Sequence, residues 1–147
     1  MSGGRFNRKG EPALYTSLTI ETAVAECCQG FAHRVPPMLI CQYDADCEPI
    51  ADLATDAARA ALGVTLEEIA CPWLDDMLAG RVPPSWSVVD RLKSAGNAGM
   101  VVPSFAPGTS DSALNLVLWQ WGDDLPARVA VFDPDGRLPR DQSSWRT

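Results

Sequence analysis

Helix and strand breakers recur so often in this chain that no element can run long. Pro36-Pro37, Gly63, Pro72, Gly80, Pro83-Pro84 and Gly96-Asn97 cut it into short segments. Proline cannot continue a helix or donate to a ladder, and glycine after a helical run closes it. Such a chain must fold by packing short helices against short strands. Residues 13–17, 38–43, 99–103, 114–121 and 129–132 have strand patterns, and 49–53 reads as an extended segment after a turn at 44–48. Residues 56–62, 65–70, 73–79 and 86–95 have helical patterns; Thr65 and Glu68 stand at capping-box spacing. Strands and helices are mixed without strict β-α-β alternation. That predicts an α+β fold, a mixed or antiparallel sheet with flanking helices, rather than a doubly wound sheet. A chain of 147 residues fits a single domain over 1–147, with a loose polar tail from Gly136.

The first helix is predicted from a Ser17 or Thr19 cap to about Phe31. Ile20, Val24, Cys27 and Phe31 fall at helical spacing and are expected to face the core. Thr22, Glu26, Gln29 and His33 fall on the other side, so periodicity puts Glu26 on a polar face.

Charge narrows the function classes. A net charge of −7 argues against a dedicated nucleic-acid binder, which needs a basic face to displace counterions. No apolar run approaches the roughly 20 residues that span a bilayer, and Met1 to Phe6 lacks a signal-peptide core. The expected location is cytoplasmic. Five cysteines without a C-x-x-C pair fit reduced, small buried hydrophobes better than zinc, so no metal is expected.

Several residues carry chemistry, each with a bland alternative. Arg5, after Gly3-Gly4, could offer a planar fork to a pyrophosphate, or could be a solvated arginine in a mobile terminus. Tyr15 could stack on a base or be a half-buried strand residue. Glu26 could stabilise charge developing at a sugar carbon, or be a solvated helix glutamate. Ser104 ends a strand outside any G-x-S-x-G elbow, and His33 is the only histidine, so a serine hydrolase is poorly supported. The five tryptophans read as core and rim rather than a ligand box.

Together these residues form a pattern. Gly3-Gly4-Arg5-Phe6-Asn7, Gly10, Ala13-Leu14-Tyr15 and Ser17, then Thr22-Ala23 and Ala25-Glu26, resemble the start of the RES domain, a family named for its arginine, glutamate and serine. Gly99 to Ser104 resembles that family's strand ending in serine, and Leu114 to Leu118 its Asn-Leu-Val-Leu strand, with Asn115 in place. The similarity runs from Gly3 to about Phe132 and is weak over 63–95.

The resemblance implies a toxin of a bacterial toxin–antitoxin pair, with a fold like diphtheria-toxin-type ADP-ribosyltransferases. It implies NAD as substrate, either broken down or used to transfer ADP-ribose to a protein. Arg5, Tyr15 and Glu26 would be the catalytic set. Arg5, Tyr15, Ser104 and Asn115 would bind NAD, Ser104 through the nicotinamide or ribose. The implied partner is an antitoxin with a helix-turn-helix-like part, which would carry any DNA contact. A homodimer stays open. Family members usually have a further stretch before the arginine motif, which here follows Met1 almost at once, so the expectation is either a truncated chain or a start placed late. The alternative is a catalytically weak module retained to complex its antitoxin.

Overall fold

The computed structural model describes residues 3–28 and 38–138. β1 (Leu14–Ser17) leads into α1 (Ile20–Cys28). β2 (Tyr43–Cys47) and β3 (Ile50–Asp52) follow, then the helices α2 (Asp56–Ala61), α3 (Leu66–Ala70), α4 (Trp73–Leu78) and α5 (Pro84–Ser94). The strands β4 (Gly99–Pro103), β5 (Leu114–Leu118) and β6 (Ala127–Val131) come last. Four strands form one sheet in the order β1-β5-β4-β3. β5 runs antiparallel to β1 and β4, while β3 pairs with β4 in parallel. The fold is therefore α+β with a mixed sheet. β2 and β6 form a separate antiparallel ribbon.

Local signals set most of the boundaries. The Thr65 hydroxyl accepts the Glu68 N–H at 3.2 Å, and the Glu68 carboxylate accepts the Thr65 N–H at 2.8 Å. Both arms of the capping box are thus made, which starts α3. Gly63 at φ +61° lets the chain leave α2 in a left-handed turn. Thr19 caps α1, accepting the Thr22 N–H at 3.2 Å.

The core lies between the helices and one sheet face. Leu53, Ile69, Val88, Val89, Met100, Val102 and Val117 are buried there, with Phe6 and Trp119. Each such aliphatic contributes roughly 1.5–3 kcal/mol by leaving water. Arg59 is buried with them, donating to Leu53 O at 2.8 Å and pairing with Asp56, which ties α2 to the end of β3.

Three sequence expectations are corrected. The stripe Ile20, Val24 and Cys27 does not make the buried face: Ile20 is 60% exposed, Cys27 is exposed and Val24 is half-buried, while Thr22 is buried. Periodicity finds a stripe but not its direction. Here the inward direction is set by the polar residues, because Glu26 bonds side chains of the sheet and of the loop after β4. Phe31, Gln29 and His33 lie outside the described residues. The expected turn at 44–48 is largely the strand β2, and only Tyr43 of the expected strand 38–43 belongs to it. β2 is polar and exposed, so its strand character comes from pairing with β6 rather than from burial. β5 stops at Leu118, because Trp119 and Gln120 both turn their N–H groups to Ala98 O.

Candidate active site

The sheet register assembles the floor of the site. Tyr15 stands opposite Val117 and Ser17 opposite Asn115, while Val102 lies across from Asn115 on the other side. Side chains two apart on a strand share a face, so Tyr15, Ser17, Asn115 and Val117 line one patch of sheet. α1 brings Glu26 over that patch. Glu26 Oε1 accepts from Ser104 Oγ at 2.7 Å and from Asn115 Nδ2 at 2.5 Å. Ser17 Oγ donates to Asn115 Oδ1 at 2.7 Å, which orients the amide so that its N–H₂ faces the glutamate. Glu26 Oε2 accepts no hydrogen bond among the described residues.

The loop from Gly3 to Glu11 supplies the cation. Four backbone groups of Gly4–Arg5–Phe6 are held by side chains from elsewhere in the chain. Trp86 Nε1 donates to Gly4 O at 2.9 Å, and Ser85 Oγ to Arg5 O at 2.6 Å. The Phe6 N–H donates to Tyr15 Oη at 3.0 Å, and Trp119 Nε1 to Phe6 O at 3.0 Å. The Arg5 side chain is anchored too. Its Nη1 donates to Cys71 O at 2.6 Å and Ile69 O at 3.2 Å, at the carbonyl end of α3. The guanidinium lies 4.8 Å from the centre of the Phe105 ring. Nε and Nη2 make no hydrogen bond among the described residues. Outside the cleft, Arg8 grips Asp90 of α5 with two bonds of 2.7 Å, which ties the loop down further.

These parts line one cavity of about 450 Å³, bounded by Gly3 to Phe6, Tyr15, Glu26, Trp73, Phe105, Asn115 and Val117 among others. Burial pulls the Arg5 guanidinium below its ordinary value, opposed by Cys71, Glu26 and Tyr15 nearby. Burial pushes the Tyr15 phenol up to about 12, against the Phe6 N–H and Arg5. A shallow depression of about 460 Å³ lies elsewhere, along Pro12 and Trp119 to Asp124. It has carboxylates but no cation, whereas the first cavity sets a guanidinium and a carboxylate in one space. Among the described residues no three His, Cys, Asp or Glu side chains converge as metal ligands would.

Of the residues singled out in the sequence, Arg5, Tyr15, Glu26 and Asn115 meet in this cavity. Ser104 stands behind Glu26, its hydroxyl donating to the carboxylate and accepting the Ala106 N–H at 3.2 Å. Glu26 faces the cavity rather than solvent, contrary to the periodicity reading, for the hydrogen-bonding reason given above. Sequence reasoning missed Asn7, Ser17, Ser85 and Phe105. Trp86 and Trp119, read as core and rim, are also backbone clamps. Only Asn7 and Ser17 had a signal, as neighbours of Arg5 and Tyr15; the others reach the loop or cavity from distant parts of the chain.

Fold and site together define an α+β domain with a built arginine–carboxylate cleft on one face of a mixed sheet. A family model, the RES domain, matches residues 1–141, and the chain belongs to that family. RES domains are associated with NAD-acting toxins of toxin–antitoxin pairs. No curated protein and no solved structure matches the chain. No helix among the described residues is long and apolar enough to cross a membrane.

Proposed function

We propose that this RES-family protein breaks the nicotinamide–ribose bond of NAD and acts as the toxin of a toxin–antitoxin pair. The observation that carries the reading is the shared cavity. Both residues line it, Glu26 held by one carboxylate oxygen with no hydrogen bond to the other among the described residues, and Arg5 held by one nitrogen with none to its other two. The donor set fits NAD: a guanidinium for the pyrophosphate, aromatic faces at Tyr15, Trp73 and Phe105 for a planar ring, and a carboxylate for the ribose.

In the proposed reaction the bond from ribose C1′ to the ring nitrogen breaks, and its electron pair leaves with nicotinamide. The sugar passes through an oxocarbenium-like state, as in glycoside cleavage. Glu26 stabilises that charge more than it stabilises bound NAD, and being fixed beforehand it needs no reorganisation. Ser104, Asn115 and Ser17 aim it, so Ser104 acts here through Glu26. The acceptor is water, phosphate or a protein side chain, whose lone pair closes on C1′ and whose proton goes to solvent.

The partner in this reading is an antitoxin that blocks the cleft and carries the DNA contact, which suits a chain of net charge −7. The test is to mix purified protein with NAD, with and without phosphate and cell lysate, and follow products by mass spectrometry. Nicotinamide release supports the reading. ADP-ribose, its phosphate ester or a mass gain on a protein then identifies the acceptor. NAD left intact in every mixture overturns the reading in favour of a module that serves only to bind its antitoxin.

A further inference from the structure

The Tyr15 hydroxyl is fully engaged inside the protein. It accepts the Phe6 N–H at 3.0 Å and donates to Asn7 Oδ1 at 2.7 Å. A phenol has one proton to donate, so none is left for a bound molecule. The ring is different: Tyr15 is 47% exposed and lines the cavity.

Asn7 is only 6% exposed, and its whole amide is used within the loop. Nδ2 donates to Glu11 O at 2.9 Å and Arg8 O at 3.2 Å, while Oδ1 takes the Tyr15 proton. Gly4 is packed against both groups. A Cβ there would stand 2.7 Å from Tyr15 Oη and 2.8 Å from Asn7 Oδ1, closer than side chains tolerate. Arg5 lies between Gly4 and Phe6, so the same contacts fix the direction in which its guanidinium leaves the backbone.

We infer that Asn7 is a positioning residue that locks the Arg5 loop to Tyr15, and that the Tyr15 hydroxyl is the latch of this lock rather than a group acting on substrate. Substrate meets the ring of Tyr15 and the guanidinium of Arg5. The inference rests on the NAD reading for its kinetic readout alone.

Tyr15→Phe keeps the ring and deletes the latch. Asn7→Ala deletes the acceptor and the tether, and Asn7→Asp keeps an acceptor but loses both donors. Two quantities are measured: amide hydrogen exchange at Phe6, with Val88 and Val89 as internal controls, and steady-state NAD turnover. Exchange at Phe6 should rise by about threefold to tenfold in Tyr15→Phe and Asn7→Ala, the scale of one lost hydrogen bond, with the controls unchanged. The Michaelis constant should rise by a similar factor in all three variants while kcat stays within about twofold. Unchanged Phe6 exchange in Tyr15→Phe overturns the latch. A kcat lower by about 10² at constant Michaelis constant in Tyr15→Phe puts the hydroxyl at the reacting atoms and also overturns it. Wild-type kinetics in Asn7→Asp, and in Asn7→Ala where it folds, remove Asn7 from the positioning role. If the wild-type protein leaves NAD intact, the NAD reading fails, and Phe6 exchange alone decides the latch.

Discussion

At the scale of the residue, the cleft depends on side chains that divide their bonding capacity between anchoring and presenting. Arg5 spends Nη1 on two carbonyls and keeps Nε and Nη2. A lysine has one compact ammonium and cannot do both. Arg5→Lys should therefore not rescue Arg5→Ala, and both should raise the Michaelis constant for NAD by about 10-fold or more, a lost charge-assisted bond. Restoration of wild-type kinetics by lysine would reduce Arg5 to a general positive charge. Glu26→Gln keeps an oxygen to accept from Ser104 and Asn115, so the melting temperature should barely move. NAD cleavage should fall by about 10²-fold, the scale of losing a preorganised electrostatic group. Equal turnover would remove Glu26 from the mechanism. Tyr15 makes a pH prediction. Its phenol is held up to about 12 by burial, whereas in an unfolded chain it titrates near 10. Below about pH 10 both states keep the proton; above it the unfolded state loses it first, so stability falls as pH rises through about 10 to 12. Urea titrations at stepped pH should show a shallower alkaline loss in Tyr15→Phe. An identical slope would mean that the hydroxyl is not buried in solution.

Elements in this protein act as clamps more than as layers. α5 holds the loop before β1 through Ser85, Trp86 and Asp90, three positions on one short helix. Trp86→Phe keeps a ring beside Arg8, now 5.4 Å from the guanidinium, and removes the N–H that Gly4 O accepts. Stability should drop by about 0.5–1.5 kcal/mol, the net worth of such a bond, and the Michaelis constant for NAD should rise with it. A thermal melt and a kinetic run check both; no change in either would make the clamp a bystander. α1 shows the converse case. Its apolar stripe was legible and its direction was not, because two hydrogen bonds to Glu26 fix the rotation of the helix. In the ribbon of β2 and β6, β6 was legible as a strand at 129–132 while β2 was hidden, since an exposed polar strand such as Tyr43–Cys47 has no apolar alternation to announce it.

For the whole molecule, the proposed toxin role makes a cellular prediction. Expression of this chain should slow bacterial growth and lower NAD, and co-expression of a cognate antitoxin should relieve both. Growth curves and NAD assays for the wild type beside Glu26→Gln separate the proposed chemistry from general burden; equal toxicity of the two would sink the enzymatic account. The sequence by itself determined the α+β class, the breaks that bound α2, α3, α4 and α5, the capping box of α3, and the family, because breakers, a capping box and motif residues are read locally. It also named Arg5, Tyr15, Glu26, Ser104 and Asn115 as residues to watch. Only the tertiary structure decided how they meet. Ser104 reaches Glu26 across 78 residues and Asn115 across 89, and Trp119 holds Phe6 across 113. Those contacts depend on strand order and register, which local patterns do not encode. The hydrophobic pattern of α1 pointed the wrong way for the same reason. Which face of a short helix turns inward is settled by the partners waiting there, and these come from the other end of the chain.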